Sequence, residues 1–359
     1  MDPRIERHAD VIVEHSTKVE PGDNVIINAH PAAEDLVVAI AERLGEVGAN
    51  PSISLRSKRA TRAYMRARDP DTYELPTHQL AEMEETDVVI IVKGETNMSE
   101  ISDVDPENTV ARAQAARPVS EERMKKRWVG TQYPAPGDAQ KAGMSTEAYE
   151  EFVWNAVNKD WDAQQEFQAQ LVDILNPASE VRIASRDTTD VTMSVDGMVA
   201  VNDYGELNLP GGEVFTAPVP DSVEGEVLFD KPLVTHGREI EDAWLRFEGG
   251  AVVEHSAGKN EDVLTSILNT DDGARRLGEL GIGMNRDIDR FTYNMLFDEK
   301  MSETVHMAIG KAIEQTVPEG QPFNESAMHL DMIVDMSEDS VIEVDGEVIQ
   351  ENGTFVFES

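Results

Sequence analysis

The chain has 359 residues, with 31 Lys and Arg against 70 Asp and Glu, giving a net charge of −39 and a pI near 4.4. A surface that acidic repels nucleic acid and anionic membranes. The absence of cysteine excludes disulfides, thiolate nucleophiles, iron–sulfur clusters and cysteine-bound zinc, so a metal ion must come to His, Asp and Glu.

Forty per cent of the residues are hydrophobic, and the acids are scattered, with only short clusters such as Glu82, Glu84 and Glu85. That is the distribution of a folded core under a hydrated acidic shell, not of acidic disorder. Self-repulsion between such charges is screened at the Debye length of molar salt, about 3 Å. The composition therefore predicts a halophilic setting and instability in dilute buffer. The start, MDPRIERHADVIVEH, has no apolar run of signal-peptide type, and no uncharged stretch approaches a spanning helix. A soluble, cytoplasmic protein is expected.

In chain order, Val25–Ile27 reads as a short strand, followed by a helix with Leu36, Ile40, Leu44 and Val47 on one face and Gly48 as its stop. Pro51–Leu55 and Asp87–Val92 read as further strands. Unbroken apolar runs alternating with helices predict an α/β domain with a largely parallel sheet. No G-x-G-x-x-G follows the first strand, which speaks against a dinucleotide site. Residues 128–143 are rich in Gly and Pro and read as a loop. Ser145 or Thr146 then caps one long helix with Tyr149, Val153, Val157, Trp161, Phe167 and Leu171 as its apolar stripe, ended by Asn176-Pro177. The domain boundary is expected there, giving an α/β N-terminal domain, 1–176, and an α+β C-terminal domain, 177–359.

From Val181 the segments shorten: Val181–Ala184, Val191–Val195, Glu226–Phe229, and a hairpin of Trp244–Phe247 with Val252–Val253 around Gly249-Gly250. Helices are predicted at about 260–279 and 300–315, and closing strands at His329–Val334, Ser340–Val344 and Thr354–Phe357.

Six histidines, His8, His15, His30, His78, His236 and His255, have no partner at ligand spacing and are read as structural. His329-Leu330-Asp331 differs, because residues i and i+2 of a strand share a face, where imidazole and carboxylate together suit a borderline cation. His306 falls on the second predicted helix, with Gly310 and Ile313 on its face and Glu303 one turn earlier as a rival ligand. Glu213 follows a Pro-Gly-Gly turn into an apolar strand. Glu279 is placed at the end of the first predicted helix, where a carboxylate opposes the helix dipole unless a cation compensates.

Taken together, NLPGGEVFTAP (208–218), ELGIGMN (279–285), LFDEKMSETVHMAIG (296–310) and HLDMI (329–333) resemble, in order and approximate spacing, the aminopeptidase T family of thermophilic-type metallo-aminopeptidases. The first half resembles it more loosely, through GDNVIIN (22–28). The resemblance implies a C-terminal domain bearing two divalent metal ions, usually in a homodimer, and zinc, cobalt or manganese each fit the mixture of imidazole and carboxylate ligands. By position it implies Glu213, Glu279, His306, His329 and Asp331 as ligands, leaves Glu303 outside the set, and makes Glu213 or Glu279 the group that receives a water's proton. The implied reaction is hydrolysis of the N-terminal peptide bond of peptides. The family's tyrosine seven residues after the ligand histidine is replaced by Ile313. Another metallohydrolase working on the same site, such as a dipeptidase, carboxypeptidase or amidase, or an inactive metal-binding relative, are the alternatives.

Overall fold

The computed structural model describes residues 1–235 and 238–358, so His236 lies outside the described residues. By internal contacts the chain divides into two units, Met1–Lys159 with Gly205–Pro210, and Asp160–Tyr204 with Gly211–Ser359.

The first unit is built on a parallel sheet of β1 (Asn24–Ala29), β2 (Asn50–Leu55), β3 (Val88–Lys93) and β4 (Arg127–Gln132) in the order β2-β1-β3-β4, with the short strand Asn208–Leu209 added beside β4. The apolar runs of β1 and β3 are buried on both faces, as expected for a sheet covered by crossover helices. On one face Ile26 and Val89 pack with Met83. Helix Glu34–Val47 buries Leu36, Val37, Ile40 and Leu44, each worth roughly 1.5–3 kcal/mol on full burial. It ends where Gly48 takes a φ of 87° and returns its N–H to Leu44 O, a left-handed conformation that glycine adopts without a Cβ clash.

Two local expectations fail here. Residues 128–143 hold β4 and a helix, Pro136–Lys141, as well as loop. The long helix is two, Thr146–Val157 and Trp161–Leu175. Ser145 caps the first as expected. The Asp160 carboxylate accepts the Ala163 N–H at 3.0 Å and starts the second, because a short acidic side chain competes for backbone N–H groups better at a cap than inside a helix.

Among the described residues the second unit contains two large antiparallel sheets and a two-stranded one, Leu233–Thr235 with Arg238–Ile240. Eight strands run in the order Ala251–Ser256, Ala243–Glu248, Glu224–Phe229, Thr189–Ser194, Glu180–Ser185, Ser340–Val344, Glu347–Glu351 and Thr354–Phe355, and include the expected glycine hairpin at residues 249–250. The other large sheet is β9-β8-β7-β6-β5, with β5 Val201–Asp203, β6 Glu213–Thr216, β7 Leu277–Gly283, β8 Thr304–Gly310 and β9 His329–Asp335. A single apolar cluster joins the two large sheets, taking Val214, Leu280, Ile282, Val305 and Met307 from one and Val181, Ile183, Val227 and Phe247 from the other.

The helices predicted at 260–279 and 300–315 are corrected by this sheet. The first stops at Leu268, and Glu279 lies inside β7. His306 lies inside β8. Three glycines in LGELGIG make that stretch a poor helix, since each costs about 1 kcal/mol relative to alanine there. In TVHMAIG, residues 306 and 310 share a face in either structure, so the apolar spacing fits a doubly buried strand as well as a helix.

Candidate metal centre

Strand alternation separates core from site. Leu280 and Ile282 of β7, Val305, Met307 and Ile309 of β8, and Met332 and Val334 of β9 face the apolar cluster. The intervening residues must then face the other way: Glu279, Gly281 and Gly283; His306, Ala308 and Gly310; His329 and Asp331; and, on β6, Glu213. Register brings them level, with Glu279 opposite Ala308, Ala308 opposite Asp331, Gly281 opposite His306, and Gly283 opposite Glu213. Gly281, Gly283, Ala308 and Gly310 keep the middle of this face low, with Ile333 beside His306 and Phe215 beside Gly281 closing its row, and the candidate ligand atoms converge over that floor.

All five residues expected as ligands come together. Glu279 lies between the imidazoles, with Oε1 at 3.6 Å from His306 Nε2 and Oε2 at 3.1 Å from His329 Nε2. Asp331 Oδ1 is 3.2 Å from His329 Nε2, and Glu213 Oε2 is 3.4 Å from His306 Nε2. Ligand atoms of Glu279, His306 and Asp331 fall within 4.8 Å of one another. The inner part is closed, with Glu213, Glu279 and His306 buried, whereas the His329 side chain keeps 29% of its surface exposed and forms the open edge.

Four observations fit a cation to these residues. Each histidine bonds through Nδ1 to a backbone carbonyl, His306 to Glu299 O at 3.0 Å and His329 to Lys311 O at 2.7 Å. The Nδ1–H therefore donates outward and leaves the Nε2 lone pair toward the carboxylates, as in metal-binding imidazoles whose far nitrogen is fixed by a hydrogen bond. Glu213 Oε2 is buried without a hydrogen-bond partner. Gly281 makes room for the His306 ring, since a Cβ there would lie 2.0 Å from Cε1 and Nε2. Finally, the donors are imidazole nitrogen and carboxylate oxygen, the set that borderline divalent ions take.

Without a cation, protons do the balancing. Burial raises Glu213 to about 8 against the pull of Lys300. Burial also raises Glu279, but hydrogen bonds from His306 and His329 outweigh it and hold that carboxyl at about 2. Burial lowers both imidazoles, yet the surrounding carboxylates, Glu279 foremost for His306 and Asp331 for His329, lift them to about 9 and about 11.

Sequence reasoning missed Lys300. Fully buried, it sets its ammonium 3.2 Å from Glu213 Oε1, against the Glu299 carboxylate and 3.9 Å from Asp203. Its charged form is held by Glu213, Glu299 and Asp203 against a large burial penalty. Nothing distinguishes one lysine among 31 cations except its place in the LFDEK string. Gly281 was more legible, because Glu-x-Gly-x-Gly is a period-two pattern with nothing bulky on the glutamate's face. Glu303, the rival ligand, sits in a turn with φ 62°, half exposed and 3.7 Å from Arg286. Ile313 lies half-buried beyond the end of β8 and brings no hydroxyl. Of the histidines read as structural, His8 bonds to Thr131 Oγ1 at 2.8 Å and His255 to Thr265 Oγ1 at 2.8 Å.

Comparison with known proteins finds aminopeptidases. Aminopeptidase T of Thermus aquaticus is 40% identical over 161 residues, covering 42% of this chain and 38% of that protein. Aminopeptidase 2 of Geobacillus stearothermophilus is 27% identical over 411 aligned positions, covering 99% of this chain and 98% of its own. The solved structure of wild-type AmpT from Thermus thermophilus superposes with a TM-score of 0.87 at 26% identity, covering 99% of both chains. The family model for thermophilic metalloprotease (M29) matches residues 1–358. The chain belongs to the thermophilic metalloprotease (M29) family and is a metal-dependent peptidase.

Proposed function

We propose that the protein is an aminopeptidase that removes the N-terminal residue of peptides with two divalent cations, zinc, cobalt or manganese, held by Glu213, Glu279, His306, His329 and Asp331. The observation that carries the reading is the convergence of these side chains over a glycine and alanine floor, with Glu213 Oε2 buried and unpartnered. Charge supports a pair of cations. Glu213, Glu279, Glu299, Asp331 and Asp203 bring five carboxylates against the one ammonium of Lys300, a surplus of four negative charges with neutral imidazoles. One divalent ion leaves that surplus negative and two do not.

When bound, such cations supply Lewis-acid charge that acidifies a water and polarises the peptide carbonyl. The chain's own groups do the rest. Glu279, with one oxygen toward each imidazole, would help to hold the cations. His306 and His329 are held in their ligating tautomer by the Glu299 and Lys311 carbonyls. Lys300 fixes Glu213 Oε1, and whichever oxygen of Glu213 or Glu279 the cations leave free would accept the water's proton and pass it to the departing amine. The substrate's free α-amino group would enter at the open His329 and Asp331 edge.

We propose further a homodimer in a salt-rich cytoplasm, supported by the acidic shell and the family resemblance; no helix of the described residues is long and apolar enough to cross a membrane. The test is release of an amino acid from a free peptide in molar salt, with and without chelator. The native chain should be chelator-sensitive and should leave an N-acetylated peptide intact. Glu213→Gln and His329→Ala should be inactive, and activity retained in either overturns the assignment.

A further inference from the structure

The first unit carries a cavity of about 340 Å³ at the carboxyl ends of its parallel strands, lined in part by His30, Ser57, Lys58, Arg59, Glu95 and Glu100. Its position follows from topology. From β1 the chain crosses to β2 on one side and then returns to β3 on the other, so the loops after β1 and β3 diverge and open a crevice between them. In open α/β sheets ligands bind at such switch points. His30 is the residue after β1, and Glu95 follows β3 by two residues.

The cavity carries both signs of charge. In a chain of net charge −39, residues 56–68 (RSKRATRAYMRAR) hold Arg56, Lys58, Arg59, Arg62, Arg66 and Arg68 and no acid. Arg62 and Arg66 pair with Asp103, but Arg59 has no carboxylate partner among the described residues. Arg59 also stands in the first turn of the ten-residue helix Lys58–Ala67, capped by Ser57, whose leading N–H groups favour an anion.

Opposite in sign is Glu95. Its Oε1 meets Lys58 Nζ at 2.5 Å, while its Oε2 is buried without a hydrogen-bond partner. The loop that carries it is pinned: Glu95 N–H donates to Asp138 Oδ2 at 2.7 Å, Glu95 O accepts Gly137 N–H at 2.8 Å, and a Cβ on Gly137 would lie 2.3 Å from that oxygen. His30 accepts the Ala32 N–H at Nδ1, 3.1 Å away, so its neutral ring, kept neutral by burial, presents Nε2–H as a further donor. A plain anion would face the unpartnered Glu95 oxygen. A plain cation would face Arg59 and the helix terminus. A small molecule with both charges on adjacent atoms meets each with its complement.

We propose that this cavity binds a small zwitterion of the α-amino-acid class, its ammonium on the Glu95 carboxylate and its carboxylate on Arg59 and the N-terminus of helix Lys58–Ala67. An α-amino acid is also what an aminopeptidase releases, which would make the cavity a place where product is sensed. The binding claim stands apart from the metal site and is tested without it. Chelator-stripped full-length protein is titrated calorimetrically with a panel of free α-amino acids, with acetate and with methylamine. At least one amino acid should bind one per chain, with Kd on the order of 1 mM. Acetate and methylamine should bind at least about tenfold more weakly, since each engages one half of the cavity. Glu95→Gln and the exposed Arg59→Ala should each weaken the amino acid about tenfold or more, and Glu213→Gln should leave it unchanged. Absence of binding by the whole panel, acetate binding as tightly as any amino acid, or affinity indifferent to both Glu95→Gln and Arg59→Ala overturns the proposal.

Discussion

The two site-bearing sheets of this chain use their faces differently. In the first unit β1 and β3 run parallel and carry Val and Ile to both sides, so each face is packed and a ligand finds room only at the strand ends. In the second unit β6 to β9 run antiparallel and divide their faces, with large apolar side chains toward the core and the proposed ligands on the other, around Gly281, Gly283, Ala308 and Gly310 and flanked by Phe215 and Ile333. The difference teaches that a sheet makes room for the proposed metal centre in mid-strand where small residues keep the middle of one face low. Substitutions that fill that face, or that unbalance its charge, should act on metal binding, whereas substitutions in the parallel sheet should act on stability alone.

The largest expected effect comes from Lys300→Met, which leaves Glu213 and Glu299 buried without their cation. Removing one partner of a buried ion pair costs about 3–5 kcal/mol, so the chelator-stripped variant should melt far below the native chain, with part of the loss recovered on adding metal. A variant equally stable with and without metal would mean that Lys300 is uncoupled from the site. Next is Gly281→Ala, whose Cβ would displace the His306 ring. A displacement of about 1 Å at a catalytic group costs on the order of a hundredfold in rate, so kcat should fall by about that much while circular dichroism stays native. Unchanged activity would break the account of a low floor beneath the ligands.

Ile90→Val in β3 sharpens the contrast from the other side. Ile90 is fully buried, and the lost methylene should cost about 0.5–1.5 kcal/mol, read as a small shift in Tm with metal affinity unaltered. A change in metal affinity would join two sheets that the account separates.

The smallest effect is a pH slope confined to the first unit. Burial holds His8 at about 3, well below its ordinary value near 6.5. The unfolded chain takes up a proton that the folded one refuses. This contribution to stability is therefore intact above pH 6.5 and lost as pH falls from 6.5 toward 3. Asp138, raised by burial to about 6, titrates with the opposite sign over part of that range. Comparing His8→Asn with the native chain isolates the first effect, and the difference in Tm between them should narrow as pH drops from 7 to 5. A constant difference contradicts the assignment.

The parallel sheet was legible because its strands, such as Val88–Lys93, are short unbroken apolar runs that admit few other readings. The site residues were legible as a set through the four strings that resemble a known family. Their secondary structure was not. Glu279 and His306 were placed on helices because a strand buried on both faces loses the alternation that identifies it, and because glycine on the ligand face mimics a helix stop. Lys300 stayed hidden because a buried cation is defined by what packs around it, and that depends on Asp203 and Glu213 arriving from other strands.

The central claim is that Glu213 joins Glu279, His306, His329 and Asp331 in holding two cations. The most direct measurement is the number of divalent ions bound per chain after equilibrium dialysis against excess zinc in molar salt, for the native protein and for Glu213→Gln. The account predicts two per chain in the native protein and at most one in the variant, with peptide release lost in parallel. A native chain that binds no divalent ion, or a variant that binds as many as the native chain, would contradict it.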